Sequence, residues 1–206
     1  FDVMHCFAFS GELWGSIGRI CLPERLRPAL ITSVRGVYDW YSPSQWRVKR
    51  WVSHQSHRVI ANSKAGADYA AARVSVPRSR IVVVHNGVQV VRGQPGSTAG
   101  FRGVARREET GVLALFVGRL VEHKNIPVLL RAMKRLRDSR VPIRLQIAGD
   151  GPLRGECERL VAAQNLQTCI EFLGERSDIS SLFEAADLVV QPSLREGLSN
   201  TILEAM

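Results

Sequence analysis

No stretch of this 206-residue chain approaches the roughly 20 consecutive apolar residues that a bilayer-spanning helix needs, so a helical membrane span is excluded. No C-x-x-C pair occurs among Cys6, Cys21, Cys157 and Cys169, and His5 beside Cys6 is not metal-ligand spacing; no metal site is expected. With 45% hydrophobic residues the chain can build a core without disulfide staples, and its thiols are expected to be reduced and buried, as in a cytosolic protein. No charged segment leading into a short apolar run stands at the start, so no secretory leader is read there. Short internal repeats are absent. Apolar residues come in blocks rather than thinning into polar tracts, which excludes disorder.

Acidic residues are scarce in one half. Residues 1–100 carry thirteen Lys and Arg against five Asp and Glu, whereas residues 101–206 carry fifteen against fourteen. Nearly all of the net charge of +9 therefore sits in the first half, a surface suited to phosphates, nucleic acid or an anionic membrane face. The segment Ser44–Trp51 interleaves Trp46 and Trp51 with Arg47, Lys49 and Arg50. It reads either as a membrane-surface helix or as an ordinary one with Trp46 in the core and its charges solvated.

Residues 92–110, rich in Gly, Ser and charge, read as a linker or surface loop between two pieces, 1–91 and 111–206. In the second piece, apolar runs at 112–117, 143–148, 170–173 and 188–190 alternate with helical patterns at 126–137, 153–164 and 178–185, the last with Asp178 expected as its cap. In the first, strands are predicted at 2–5, 29–34, 58–62 and 81–85, with helices near 15–22, 44–53 and 64–74. Short buried strands alternating with helices predict an α/β fold of two Rossmann-like parallel-sheet domains.

In open parallel sheets, ligands bind beyond the carboxyl ends of the strands. That rule selects the loops Gly118–Lys124, Gly149–Gly151, Gly174–Arg176 and Ser193–Ser199. Ser199 suits a helix N-cap, the free amides after it favour an anion, and Gly197 lets backbone approach a bound group. Arg119 and Lys124 add two cations, a combination suited to a diphosphate. Glu196 and Glu204 flank the same helix start, either to take sugar hydroxyls or, for Glu204, as an ordinary exposed glutamate. On the first piece, His5 ends the first predicted strand and Arg35 follows the second.

The order of Val117-Gly118-Arg119-Leu120 with Lys124, Ala148–Pro152, and Ala186–Ser193 running into Glu196–Asn200 and Glu204 resembles the retaining glycosyltransferases of family 4, with their two-domain GT-B fold and E-x7-E motif. Val59–Ser63 and Val84–Val88 resemble the end of that family's acceptor-side domain. The resemblance implies sugar transfer from a nucleoside diphosphate sugar to a glycan or lipid-linked acceptor, without metal or other cofactor, in the cytoplasm or peripherally at the inner membrane face. Arg119 and Lys124 would hold the diphosphate, together with Gly118 and the amides of Gly197, Leu198, Ser199 and Asn200. Glu204 would take the ribose and Glu196 the donor sugar, while His5 and Arg35 are candidates for the acceptor side. Gln89 and Asn125 depart from the family's usual Asp and Gly. The chain reads as a fragment open at both ends, the last part of an acceptor domain and the first part of a donor domain, and whether it acts alone is left open.

Two other classes compete. Gly149-x-Gly151-x-x-x-Gly155 could be taken for an NAD(P) fingerprint, although Pro152 interrupts it and no acidic ribose partner follows. A basic nucleic-acid binder is suggested by the pI near 10.1, against which no recognition module is present and the charge is spread.

Overall fold

The computed structural model describes residues 1–36, 38, 41–88 and 111–206; the predicted linker lies outside them. The described residues divide into two units. One holds Phe1–Gly87 together with Glu196–Leu198, and the other holds residues 111–195 and Ser199–Met206.

In the first unit, strands β1 (Val3–His5), β2 (Ala29–Val34), β3 (Arg58–Ala61) and β4 (Ile81–Val83) pair in parallel in the order β1-β2-β3-β4. Helices α1 (Ala8–Cys21), α2 (Pro43–Gln55) and α3 (Lys64–Val74) provide the crossovers. The core of this unit takes Leu30 and Val34 of β2, Val59 and Ala61 of β3 and Ile81 of β4, along with Ala67, Ala70 and Val74 of α3.

Helix α1 starts at Ala8, well before the predicted position near residue 15. Phe7 stands at its N-cap without a side-chain hydrogen bond, and Gly11, Gly15 and Gly18 weaken the helical signal. Gly15 is there for packing, since a Cβ would lie 2.4 Å from Cys6 Sγ. Helix α2 begins with a capping box, in which Ser42 Oγ accepts from Gln45 N–H and the Gln45 side chain accepts from Ser42 N–H. Ser42→Ala is expected to cost about 1 kcal/mol, read as a lower urea midpoint at unchanged m-value.

In the second unit, β5 (Val112–Val117), β6 (Ile143–Ala148), β7 (Ile170–Gly174) and β8 (Leu188–Val189) form a parallel sheet ordered β7-β6-β5-β8. The connecting helices are α4 (Ile126–Asp138), α5 (Arg154–Ala163) and α6 (Ile179–Ala185), and α7 (Asn200–Ala205) follows β8. A core of Phe116, Leu120, Ile126, Leu130, Met133, Leu145, Ile147 and Leu166 lies between the sheet and α4 and α5. Central β5 is buried on both faces at Ala114, Leu115 and Phe116, as its unbroken apolar run predicts.

Three expectations change. Cys6 and Cys157 are buried free thiols, but Cys21 is exposed and Cys169 half-buried. Asp178 stands at the N-cap of α6 without a side-chain cap bond, because its carboxylate instead takes both Arg176 Nε (2.8 Å) and a terminal guanidinium nitrogen (2.6 Å). On α2, Trp46 is half-buried beneath the Arg73 guanidinium and Trp51 is 40% exposed, yet Lys49 is not a solvated charge; it is 2% exposed and ion-paired with Glu12 of α1.

Candidate functional site

The carboxyl edge of the second unit is assembled by backbone. β5 ends at Val117, and Gly118 N–H donates to the Ala148 carbonyl at 2.9 Å. Leu120 N–H then donates to the Asp150 carbonyl and Leu153 N–H to the Leu120 carbonyl, so the loops after β5 and β6 are laced together. The lacing requires glycine. At Gly149 (φ +135°) a Cβ would sit 2.1 Å from the Gly118 carbonyl oxygen, and at Gly151 one would sit 2.5 Å from that of Leu120. Gly149 N–H donates to the Gly174 carbonyl at 2.7 Å, which brings in the loop after β7.

Asp150 locks this corner from its side chain. Its carboxylate accepts from Gly151 N–H and from the Arg154 guanidinium, and these two bonds hold it below the usual carboxylate range. The glycines of the loop are thus spent on the chain's own backbone. An NAD(P) fingerprint would use them to admit a pyrophosphate, so the dinucleotide reading loses its structural basis.

On this frame Arg119 is exposed, with no hydrogen bond or ion pair from its side chain among the described residues. Lys124 closes a short 3-10 turn, Glu122–Lys124, is half-buried, and passes its Cε within 3.6 Å of the Cβ position of Gly118. Both cations therefore belong to the loop that β5 delivers. Leu194 N–H donates to the His123 carbonyl at 2.8 Å, tying the segment after β8 to the same loop. Beyond it Ser199 caps α7, its Oγ accepting from Ile202 N–H, and Thr201 Oγ1 reaches the Val117 carbonyl at 3.4 Å. α7 is a six-residue helix on which Asn200 and Glu204 are exposed. So the structure brings Gly118, Arg119, Lys124, Ser199, Asn200 and Glu204 into one unit.

Glu196, Gly197 and Leu198 group instead with the first unit. The expected reason for glycine at 197 changes accordingly: a Cβ there would lie 2.4 Å from the Arg35 carbonyl oxygen and 2.9 Å from Asn62 Oδ1. The close neighbour is the chain itself.

At the carboxyl edge of the first unit, the exposed Arg35 guanidinium donates to Asn86 Oδ1 at 2.9 Å. The Arg35 peptide is held on both sides, its N–H by the Tyr38 hydroxyl and its carbonyl by Asn62 Nδ2. His85 Nδ1 lies 3.1 Å from the Asn62 carbonyl. His5, at the end of β1, is solvent-exposed, contacts Phe7 ring to ring, and bonds through Nε2 to Ser33 Oγ at 2.8 Å. Lost hydration at that edge, followed by the Arg35 charge, pushes the His5 pKa down, which favours the neutral imidazole. Asn62, His85 and Asn86 were not selected from the sequence, although Asn62 directly follows β3, His85 and Asn86 lie on the segment after β4, and the carboxyl-end rule reaches them.

Two four-stranded parallel α/β units in one chain, with cations and amides at a strand's carboxyl edge, define a GT-B glycosyltransferase fold. Residues 1–92 match the model for glycosyltransferase family 4 and residues 111–206 that for glycosyl transferases group 1; the chain belongs to this family. EpsF of Bacillus subtilis is 30% identical over 190 residues, covering 89% of this chain and 49% of its own. An uncharacterised glycosyltransferase of Methanocaldococcus jannaschii is 27% identical over 216 residues, covering 100% and 55%. The chain thus spans about half the length of these relatives. Among solved structures, HepE of Anabaena in complex with UDP and glucose has a TM-score of 0.83 at 20% identity, covering 100% of this chain and 56% of HepE. TarM of S. aureus gives 0.74 at 16% identity, with 98% and 39% covered.

Proposed function

We propose that the protein containing this chain transfers a sugar from a nucleoside diphosphate sugar to a glycan or lipid-linked acceptor, with retention of anomeric configuration. The observation that carries the reading is the β5 loop. It delivers an uncommitted exposed guanidinium and a half-buried ammonium to one edge, where a diphosphate leaving group can be neutralised as its charge develops. In this reading Arg119 and Lys124 hold the diphosphate and no metal is required. The amides of Gly118 and of Leu198–Asn200 contact its oxygens, Glu204 accepts from the ribose hydroxyls, and Glu196 faces the donor sugar. His5 and Arg35 serve the acceptor. Peripheral contact with an anionic membrane face rests on Arg47 and Arg50, both exposed on α2, since Lys49 is buried.

Uridine diphosphate is the first nucleotide to try, because HepE has been seen with UDP and glucose and the pneumococcal transferase GtfA with UDP and GlcNAc. Calorimetric titration of the intact protein with UDP, GDP, ADP and NAD checks the donor site. One nucleoside diphosphate is expected to bind, and to bind at least tenfold more weakly to Arg119→Ala and to Glu204→Ala, a difference of about 1.4 kcal/mol or more. Binding of NAD in preference, or equal binding by both variants, would overturn the assignment.

A further inference from the structure

Lys49 and Glu12 are 2% and 1% exposed, on different helices, and bonded to each other inside the first unit. Burial pushes the glutamate up and the lysine down, each against the attraction of the other. A buried pair of this kind is seldom worth more to stability than an apolar pair of equal volume, so its partners indicate what it does. Both partners point to one residue: Glu12 Oε1 accepts from Ser33 N–H at 3.0 Å, and Lys49 Nζ donates to the Ser33 carbonyl at 2.9 Å.

The reason lies in the sheet. β1 pairs with β2 only up to His5 opposite Ile31, with Cys6 N–H donating to the Ile31 carbonyl, after which the chain turns into α1. Ser33 stands two residues further along β2, on the flank that β1 no longer covers. A buried peptide group left without a partner there is costly, and the ion pair supplies the donor and acceptor that a longer β1 would have offered. An ion pair in place of a strand leaves the Ser33 hydroxyl as the one remaining polar group of that residue, and it meets His5 Nε2 at 2.8 Å. Among the described residues this is the only hydrogen bond His5 makes.

We propose that Ser33 and the buried Glu12–Lys49 pair are positioning residues for His5: the pair fixes the Ser33 peptide where β1 ends, and Ser33 Oγ fixes the imidazole through Nε2. The ring is thereby held in one orientation, with Nδ1 as the edge left for a ligand. For an acceptor-side histidine this means that one nitrogen, Nδ1, is left to meet the incoming hydroxyl. That consequence rests on the transferase reading; the positioning does not.

The test is a long-range proton–nitrogen correlation spectrum of the 15N-labelled intact protein, with the two His5 ring nitrogens followed at one fixed pH above the histidine range. In the wild type the two shifts are expected to differ from those of a free imidazole, because Nε2 is held by the Ser33 hydroxyl and Nδ1 is not. Ser33→Ala should draw them toward the values of a free imidazole, and Ser33→Thr, which keeps the hydroxyl, should restore the wild-type shifts. Glu12→Gln with Lys49→Met removes the charges but keeps an acceptor for Ser33 N–H; the ring shifts should then move part of the way toward those of Ser33→Ala. Should that double variant not fold, Lys49→Arg keeps the charge, displaces the donor, and should move the ring in the same sense. Ring shifts unchanged in Ser33→Ala, or unchanged in the variants of the pair, would overturn the proposal. A protein without transferase activity would still show the ring response, so the two readings fail separately. If it is a transferase, Ser33→Ala should raise KM for the acceptor and leave KM for the donor as it was.

Discussion

Replacing Lys124 or Arg119 by alanine in the intact protein is expected to lower kcat by about 10²–10³-fold each, the usual loss when one preorganised charge is withdrawn from a transition state. Transfer moves negative charge onto the departing diphosphate, and a cation that meets that charge strengthens its hold as the bond breaks. Arg119 is exposed and takes no part in the core, so its removal should leave the thermal midpoint within about 1 °C, in line with the small effects of most surface changes. Lys124 is half-buried against the loop and should cost some stability as well. Nucleoside diphosphate release, assayed with saturating donor and acceptor, measures kcat directly. Arg119→Lys should recover part of the rate, since it keeps the charge and loses the fork. Unchanged kcat in both alanine variants would remove the β5 loop from the chemistry.

Lys49→Met is expected to destabilise the fold by about 3–5 kcal/mol, as measured by urea denaturation, because it leaves the Glu12 carboxylate buried without its partner. The deficit should depend on pH, with a definite sign. In the variant the folded Glu12 holds its proton to higher pH than the unfolded chain, whose carboxyl titrates near the ordinary value of 4.5. Stability gained through that proton is present below the ordinary value and is lost as pH rises through the folded one. Lys49→Met should therefore recover part of its loss on acidification and be weakest at neutral pH. Adding Glu12→Gln should return most of the stability at pH 7, since no charge then remains in the core. A single variant as stable as the wild type at pH 7 would mean that water reaches the pair.

The contrast between these two sites shows what the sequence could reveal. β5 and β6 have the predicted bounds because β5 is an unbroken apolar run, β6 alternates Ile143, Leu145 and Ile147 with polar residues, and glycine closes both, a signal contained within the strand itself. Arg119, Lys124 and Ser199 could be selected from the sequence because each lies on the segment that follows a readable strand, where the rule for parallel sheets looks for a ligand. The Lys49–Glu12 pair was not legible. On the sequence Lys49 lies between Arg47 and Arg50 and looks like one more solvated charge, and its partner is on another helix, 37 residues away. The early start of α1 was hidden likewise, because three glycines weaken its pattern and one of them, Gly15, is set by a neighbour, Cys6, and not by the helix. Local patterns report the element that bears them; a contact made across the fold leaves its mark in two places, each of them ordinary.

The glycines at 149 and 151 bear on how such an edge can be altered. Any side chain at either position would have to enter a carbonyl of the loop opposite, so the corner joining the turns after β5 and β6 admits no variation residue by residue. A library built on this scaffold should leave that corner alone and place its diversity at Glu122–His123 and at Leu194–Arg195, where side chains are exposed and the backbone is anchored beneath them. The same division separates what the unit can exchange from what it must keep: the frame is inherited whole, and change in recognition is carried by the residues that ride on it.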